Sequence, residues 1–413
     1  MEIQRTLLEK LRAHLSAKEI TLLIGSRQAG KTTLLRQLAE EKQAAGEQVL
    51  FFNLDYEPDM LLFSSQEKLI RQIELITGKR HAYVFIDEIQ RKKNAGLFLK
   101  GIYDQLLPYK FIVSGSGSLE LKESIHESLA GRKRLFELET ASFYEFAQYK
   151  TDYVYRERIK DYLELQPETA QLLLREYLNF GGYPRVITAP DIEEKTAVLR
   201  EIYQSYLEKD IRLLLQIEKS QEFTTMMRLL ALRIGNTIDY SGLSKDVGLS
   251  FATLKKYLWY AEKTFVLELL PPFFRNKEKE IVKAPQLYFK DLGLRNITIE
   301  NAGRIQSLNE AAFEFQNFVY RLLRANIGER LFSLHYWRTK SQAEVDFVID
   351  RGQGLLPIEV KARSLKKPTA SRSLRSFLDT YQPKEAWVIN LSLDTSIEIG
   401  KSKVFFRPWY GLV

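Results

Sequence analysis

The sequence contains no cysteine, so disulfides and thiolate metal sites are excluded outright. That absence fits a reducing compartment and sets the expectation of a cytoplasmic protein. No run approaches the ~18 consecutive apolar residues of a membrane span. Met1 is followed by the mixed-charge stretch Glu2-Ile3-Gln4-Arg5 rather than an apolar leader core. A soluble protein with no membrane partner is therefore expected. Disorder is excluded too, because 45% hydrophobic and 12% aromatic residues supply enough apolar surface for packed cores. At 413 residues the chain is too long for one ordinary core, and about two to four domains are expected.

Against these absences stands one well-formed motif. Gly25-Ser26-Arg27-Gln28-Ala29-Gly30-Lys31-Thr32 fits G-x-x-x-x-G-K-(S/T), the phosphate-binding P-loop. Thr21–Ile24 before it reads as a short buried strand, and Thr32-Thr33-Leu34-Leu35 after it as the start of an amphipathic helix. Strand, glycine turn and helix are the context the chemistry needs. The glycines let backbone N–H groups wrap phosphates, and the helix N-terminus favours an anion. Gly25 to Thr33 are thus candidate ATP contacts, with Lys31 on the β- and γ-phosphates and the Thr32 hydroxyl on Mg²⁺.

Further along, 2–15 has helical spacing, Gln48–Leu54 reads as a strand, 66–77 as a helix, and Lys110–Ser116 as another strand. Between the last two, Tyr83-Val84-Phe85-Ile86-Asp87-Glu88 is an apolar strand ending in two carboxylates. Strands alternating with helices indicate an α/β fold with a parallel sheet. Ligands bind such sheets at the C-terminal strand ends. There Asp87 stands where a Walker B acid meets Mg²⁺, and Glu88 where a base orients the attacking water. Ser114 and Ser116 end the following strand, where Ser116 is placed to sense the γ-phosphate.

These pieces, with Leu129-Ala130-Gly131-Arg132, Ser142-Phe143-Tyr144-Glu145-Phe146 and Gly181-Gly182-Tyr183-Pro184, resemble AAA-type ATPases of bacteria and archaea. The match is to the group that carries a C-terminal domain of uncharacterised function. The resemblance implies ATP and Mg²⁺ as cofactors and Arg132 as a phosphate-sensing or finger arginine. It also implies homo-oligomers in which a neighbour supplies that arginine.

The remaining chain divides by pattern. We expect the ATPase core at 1–150, a helical lid at 151–217, a winged helix at 218–272 and a C-terminal domain at 273–413. In the winged helix, Lys255, Lys256 and Tyr257 lie on the helix that contacts DNA in helix-turn-helix proteins. Pro271-Pro272 marks the last boundary. Beyond it a helix at 309–324 precedes three strand candidates, His335–Arg338, Glu344–Ile349 and Leu356–Lys361. Period-two alternation puts Glu359 and Lys361 on one face, and Asp346 joins them if the strands are neighbours.

Asp346 followed by Glu359-x-Lys361 resembles the restriction-endonuclease-like PD-(D/E)-x-K core, an α+β fold. That resemblance implies Asp346 and Glu359 as metal ligands and Lys361 as a charge-stabilising catalytic residue. Gln316 stands where relatives carry a helix glutamate, and Glu314 lies two positions away on a different face. Charge agrees with a polyanion partner here. Residues 1–272 hold 38 basic and 38 acidic residues, whereas 273–413 hold 23 and 15, so the whole net charge of +8 sits in the last third. Lys361, Arg363, Lys366, Lys367, Arg372 and Arg375 follow one another with no acid among them. Two functions are open at this point. One is an ATPase acting on nucleic acid, and the other is a nucleotide-controlled switch with an inactive nuclease-like domain that binds a protein.

Overall fold

The apolar runs of the first third become parallel strands in the computed structural model, which describes residues 2–116, 128–208, 211, 220–328 and 331–413. The strands are β1 (Ile20–Gly25), β2 (Val49–Asn53), β3 (Ala82–Asp87), β4 (Tyr109–Ser116) and β5 (Lys133–Leu138). Their order is β2-β3-β4-β1-β5 and every pairing is parallel. Alternation feeds two cores. Leu22, Ile24, Val84, Ile86 and Val113 pack with Leu69, Ile73 and Leu99 on one face. Leu23, Phe85 and Ile112 pack with Leu8, Leu11, Leu35 and Leu38 on the other. A strand covered on both faces has no polar side, which is why the apolar runs Leu22–Ile24 of β1, Ala82–Ile86 of β3 and Phe111–Val113 of β4 do not alternate with polar residues. Helix Gln66–Thr77 starts at Ser65, whose side chain accepts from the Lys68 N–H, and stops at left-handed Gly78.

The chain divides into two compact units. One is Met1–Ala141 with Ser205–Glu218 and Lys263–Phe265, and the other is Ser142–Gln204 with Lys219–Glu262 and Val266–Val413. Expected boundaries therefore move. Most of the regions expected as lid and winged helix, and all of 273–413, fall in the second unit, while Ser205–Glu218 and Lys263–Phe265 fall in the first. The second unit opens at Ser142, with a capping box to Glu145, rather than at 151. The break at 272 is also crossed. β6 (Leu267–Leu270) pairs antiparallel with β7 (Gln286–Phe289), so the module expected at 218–272 would draw a strand from beyond Pro272. The helices of that module are Ser220–Leu232, Tyr240–Val247 and Phe251–Lys263.

Within the second unit the Gly181-Gly182 motif has a local cause. The Asp291 carboxylate caps the helix Leu292–Thr298 through the Leu294 N–H and also accepts from the Gly182 N–H at 2.8 Å. A Cβ on Gly181, at φ +69°, would run into that carboxylate. The unit ends in a six-stranded sheet ordered β12-β13-β11-β10-β9-β8. Its strands are β8 (Ser333–Arg338), β9 (Glu344–Asp350), β10 (Leu355–Val360), β11 (Glu385–Asn390), β12 (Thr395–Ile399) and β13 (Ser402–Pro408). β8, β9 and β10 form an antiparallel meander, and helix Arg372–Tyr381 carries the chain from β10 to its parallel neighbour β11.

Candidate functional site

Parallel strands bring their C-terminal ends to one edge, and in the first sheet that edge collects the expected residues. Gly25 at the end of β1 pairs with Ser116 at the end of β4, and β4 lies between β1 and β3. Gly25 has no alternative, since a Cβ there would strike the Leu138 carbonyl of β5. The loop then turns through Gln28 and Gly30, both at positive φ, into helix Lys31–Ala44. Gly30 offers no side-chain cap, so the first amides of that helix remain available to an anion. The buried Lys31 ammonium donates to the carbonyls of Gly25 at 3.1 Å and Ser26 at 2.8 Å.

Asp87 gathers the hydroxyls. Its Oδ2 accepts from Thr32 at 2.7 Å, and its Oδ1 accepts from Ser114 and, at 3.1 Å, from the Glu88 N–H. Glu88 is left-handed at φ +58°, a backbone state that costs a non-glycine residue of order 1 kcal/mol and gathers at functional sites. Gln90 holds the next two groups. Its amide donates to the Glu88 carboxylate, and its oxygen accepts from the Ser116 N–H at 3.0 Å. Ser116 Oγ is buried with no hydrogen-bond partner among the described residues. Thr33 sits exposed on the first turn, and Ala29 is buried beneath the loop. Gly117, Ser118 and Leu119 of the expected motif lie outside the described residues.

Two supports were not legible from the motif. Gln90 is one. Arg5 is the other, donating to the Ala29 carbonyl at 2.7 Å and the Glu139 carbonyl at 2.6 Å, which ties the P-loop to the end of β5. A polar residue just after a Walker B pair could have pointed to Gln90, but nothing local marks Arg5.

Arg132 lies away from this edge of the sheet. It precedes β5, whose Lys133 pairs with Ile20 while Leu138 pairs with Gly25. Arg132 is thus at the far end of the sheet, about five strand residues or ~17 Å from the P-loop. Its guanidinium is paired with Asp104 at 2.7 Å, a hydrogen bond that raises its pKa and lowers that of Asp104. It does not reach the strand-end site of its own chain.

The second constellation also assembles, with a different character. Asp346 of β9 accepts the Val360 N–H of β10 at 2.7 Å on one oxygen and the Gln316 amide at 3.1 Å on the other. Gln316 is therefore where the helix glutamate was expected, while Glu314 turns away to an ion pair with Arg295 at 2.6 Å. Gln316 also meets Tyr288 at 3.1 Å, Tyr288 donates to Gln286 at 3.0 Å, and Gln286 donates to Glu344 at 2.7 Å. Burial pushes the Asp346 carboxyl up to about 7, against the Val360 hydrogen bond that favours its charge, and Glu359 adds repulsion. Glu359 is buried and pairs with Lys361 at 2.6 Å through one oxygen, and the other has no partner among the described residues.

Asp346 and Glu359 stand on adjacent strands with an amide, a backbone N–H and an ammonium on their oxygens. A divalent ion would have to displace an amide, a backbone N–H and an ammonium to reach two carboxylates. Among the described residues no group of three or more His, Asp or Glu is placed to hold a metal. On helix Phe251–Lys263, Tyr257 does not take the exposed position expected of it. It is buried against Phe223 with ring centroids 5.6 Å apart and is closed to DNA. Lys255 and Lys256 are exposed, their ammonium groups lying over Phe251 at 4.7 Å and Tyr260 at 5.5 Å.

Comparison with known proteins follows the same division. Residues 17–147 match a family model described as an AAA domain. Residues 171–304 and 313–407 each match a domain of unknown function, DUF8612 and DUF4143 respectively. An uncharacterized protein of Mycobacterium tuberculosis is 28% identical over 89% of this chain and 76% of its own length. An uncharacterized protein of Methanocaldococcus jannaschii is 23% identical over 94% and 84%. Among solved structures, Cdc6p from Pyrobaculum aerophilum aligns at 12% identity over 73% of this chain and 96% of its own, with a TM-score of 0.30 that carries no weight here. No helix among the described residues is long and apolar enough to cross a membrane. Residues 17–147 are accordingly an AAA-type P-loop domain on a five-stranded parallel sheet.

Proposed function

We propose that this protein binds and hydrolyses ATP at the strand ends of its first sheet, and that its basic C-terminal domain binds nucleic acid without cutting it. The observation that carries the ATPase reading is the Thr32 hydroxyl on Asp87 directly behind Lys31 and the P-loop amides. Thr32 and Asp87 are a hard-oxygen pair suited to Mg²⁺, and the unpartnered Ser116 Oγ leaves a further polar atom nearby. When bound, Mg²⁺ neutralises charge on the phosphates. The chain supplies the rest. Helix-start amides and Lys31 bind phosphate oxygens, Ser114 orients Asp87, and Glu88, fixed by Gln90, orients water and accepts its proton. Arg132, remote from its own site, serves a neighbouring copy if the protein forms a homo-oligomer.

The test is phosphate release by Glu88→Gln beside nucleotide binding. Turnover is expected to fall by about 10²–10⁴-fold with binding retained. Undiminished turnover removes Glu88 as the base.

For the C-terminal domain, the order helix Ala312–Ile327, β8, β9, β10, helix Arg372–Tyr381, β11 supports a restriction-endonuclease-like fold, with Asp346 and Glu359-x-Lys361 on adjacent strands. The excess of 23 basic over 15 acidic residues in 273–413 supports a polyanion partner. Gln316 on Asp346 argues against cleavage. It equally favours the reading in which this domain is an inactive module that contacts a protein. Mixing the full chain with labelled DNA and Mn²⁺ at low salt separates the readings: binding without cutting is expected, cutting ends the inactive assignment, and no binding leaves the protein partner.

A further inference from the structure

On β11 and β13 the side chains divide between two faces. Ala386, Val388, Val404 and Phe406 enter the core together with Leu374 and Phe377 of helix Arg372–Tyr381. Trp387, Phe405, Lys403 and Arg407 alternate with them and belong to the other face. Glu359 pairs in register with Val388, and Trp387 with Ile358, so this second face is not the one that carries Glu359 and Lys361. Trp387 and Phe405 are themselves register partners on neighbouring strands. The result is two half-buried rings side by side on the outer part of the sheet.

Cations cover that pair. The Arg407 guanidinium lies 4.5 Å from the Trp387 ring centroid and 4.8 Å from that of Phe405, and the Lys403 ammonium lies 5.1 Å from Phe405. A groove of about 1000 Å³ runs from Lys403 and Phe405 past Lys384 to Tyr381 and Arg275. Its two acids are already matched, Glu385 by Arg351 at 2.6 Å and Asp350 by Lys277 at 3.9 Å. Arg275, Lys384, Lys403 and Arg407 have no ion-pair partner among the described residues. The Trp387 Nε1–H is buried without an acceptor, a donor that the protein itself leaves unused.

We propose that this face is a stacking platform for single-stranded nucleic acid. Bases lie on Trp387, Phe405 and the Arg407 plane, while Lys403, Lys384 and Arg275 meet phosphates. Flat rings interleaved with cations match the two chemical halves of a nucleotide, and every base has a π-face, so the platform is tolerant of sequence. Paired bases in a duplex hide those faces, so single strands are selected. The inference rests on the nucleic-acid reading above but does not involve Asp346, Glu359 or Lys361.

The experiment measures anisotropy of a labelled oligothymidylate about 20 nucleotides long, longer than one such site, with the full-length protein. A duplex of the same length and heparin, a polyanion without bases, are the comparison probes. The single strand is expected to bind about tenfold or more tighter than duplex and to quench tryptophan fluorescence. Phe405→Leu and Trp387→Leu are expected to weaken the single strand by about tenfold each and to leave heparin within about twofold. Trp387→Phe keeps a ring and retains most of the binding. If either leucine variant does not fold, Arg407→Gln decides, with weaker single-strand binding and a shallower salt dependence expected. Ring and Arg407 variants that bind the single strand like the parent overturn the platform while the nucleic-acid reading stands. A parent protein that binds no nucleic acid overturns both.

Discussion

The five-stranded sheet carries Asp87 at the end of β3 and the six-stranded sheet carries Asp346 within β9, and the donors that satisfy the two differ in kind. Asp87 is held by the hydroxyls of Thr32 and Ser114 and by one amide. A hydroxyl keeps lone pairs and can turn from donor to ligand when a cation arrives. Asp346 is held by the Val360 N–H and the Gln316 amide, groups that donate and cannot ligate in that orientation. A carboxylate ringed by hydroxyls is ready for a metal, whereas one ringed by N–H groups is already satisfied. An acid on a sheet is not a site until its partners are known.

The largest expected effect comes from removing that readiness. Thr32→Val preserves shape and deletes the hydroxyl, and ATP turnover is expected to fall at least about 100-fold, the upper range for loss of a metal-orienting group. Asp346→Ala is expected to leave turnover within about twofold. Steady-state phosphate release checks both. A mild loss in Thr32→Val would mean that Asp87 does not depend on its hydroxyl neighbours, and the contrast between the sites would collapse.

Much of the first site was legible because its chemistry is local. Gly25, Gly30, Lys31 and Thr32 fall within eight residues, and the all-apolar strand before Asp87 follows from burial on both faces. Ser116 was reachable as a strand end. The position of Arg132 was not legible, because a motif gives the order of residues along the chain and not which end of a parallel strand they occupy. Arg5 and the orphaned Ser116 hydroxyl depend on contacts across more than a hundred residues or on what is missing, and neither leaves a local signal. In the second unit, the strands β8–β10 were readable as strand candidates, though not their antiparallel pairing, and Gln316 was placed by the family resemblance. The partner strands β11 and β13 were not identified: Ala386-Trp387-Val388-Ile389 and Val404-Phe405-Phe406 are short continuous apolar runs with no period-two alternation to mark two faces. Without them the aromatic face of that sheet was invisible.

A second variant sharpens the comparison from the other side. Gln316→Glu replaces the amide donor with a third carboxylate beside Asp346 and Glu359. Without metal, the crowded acids are expected to cost about 1–3 kcal/mol of stability in the second unit. With Mn²⁺ the loss is expected to be recovered, because an ion that binds only the folded state stabilises it. Thermal melts of parent and variant, with and without Mn²⁺, report both effects. An equal Mn²⁺ response in the two proteins would show that Gln316 is not what closes the site.

The smallest effect is the most direct reading of Asp346 itself. Burial holds its carboxyl up at about 7, above the ~3.9 of an aspartate in an unfolded chain. Between those values the folded state keeps a proton that the unfolded chain releases, so its contribution is fully present below pH ~4 and is lost as pH rises towards 7. Asn resembles the protonated acid, with an oxygen for the Val360 N–H and no charge to desolvate. Parent and Asp346→Asn should therefore have nearly equal stability near pH ~4 and diverge above it, the variant becoming more stable by ~1–3 kcal/mol at pH ~8. Denaturant unfolding followed at several pH values measures the divergence. If Asn is instead the less stable form at neutral pH, the hydrogen bonds to Asp346 outweigh its burial and the group is ionised. Asp346 would then carry the charge that a cation needs, with the Val360 N–H and the Gln316 amide still on its two oxygens.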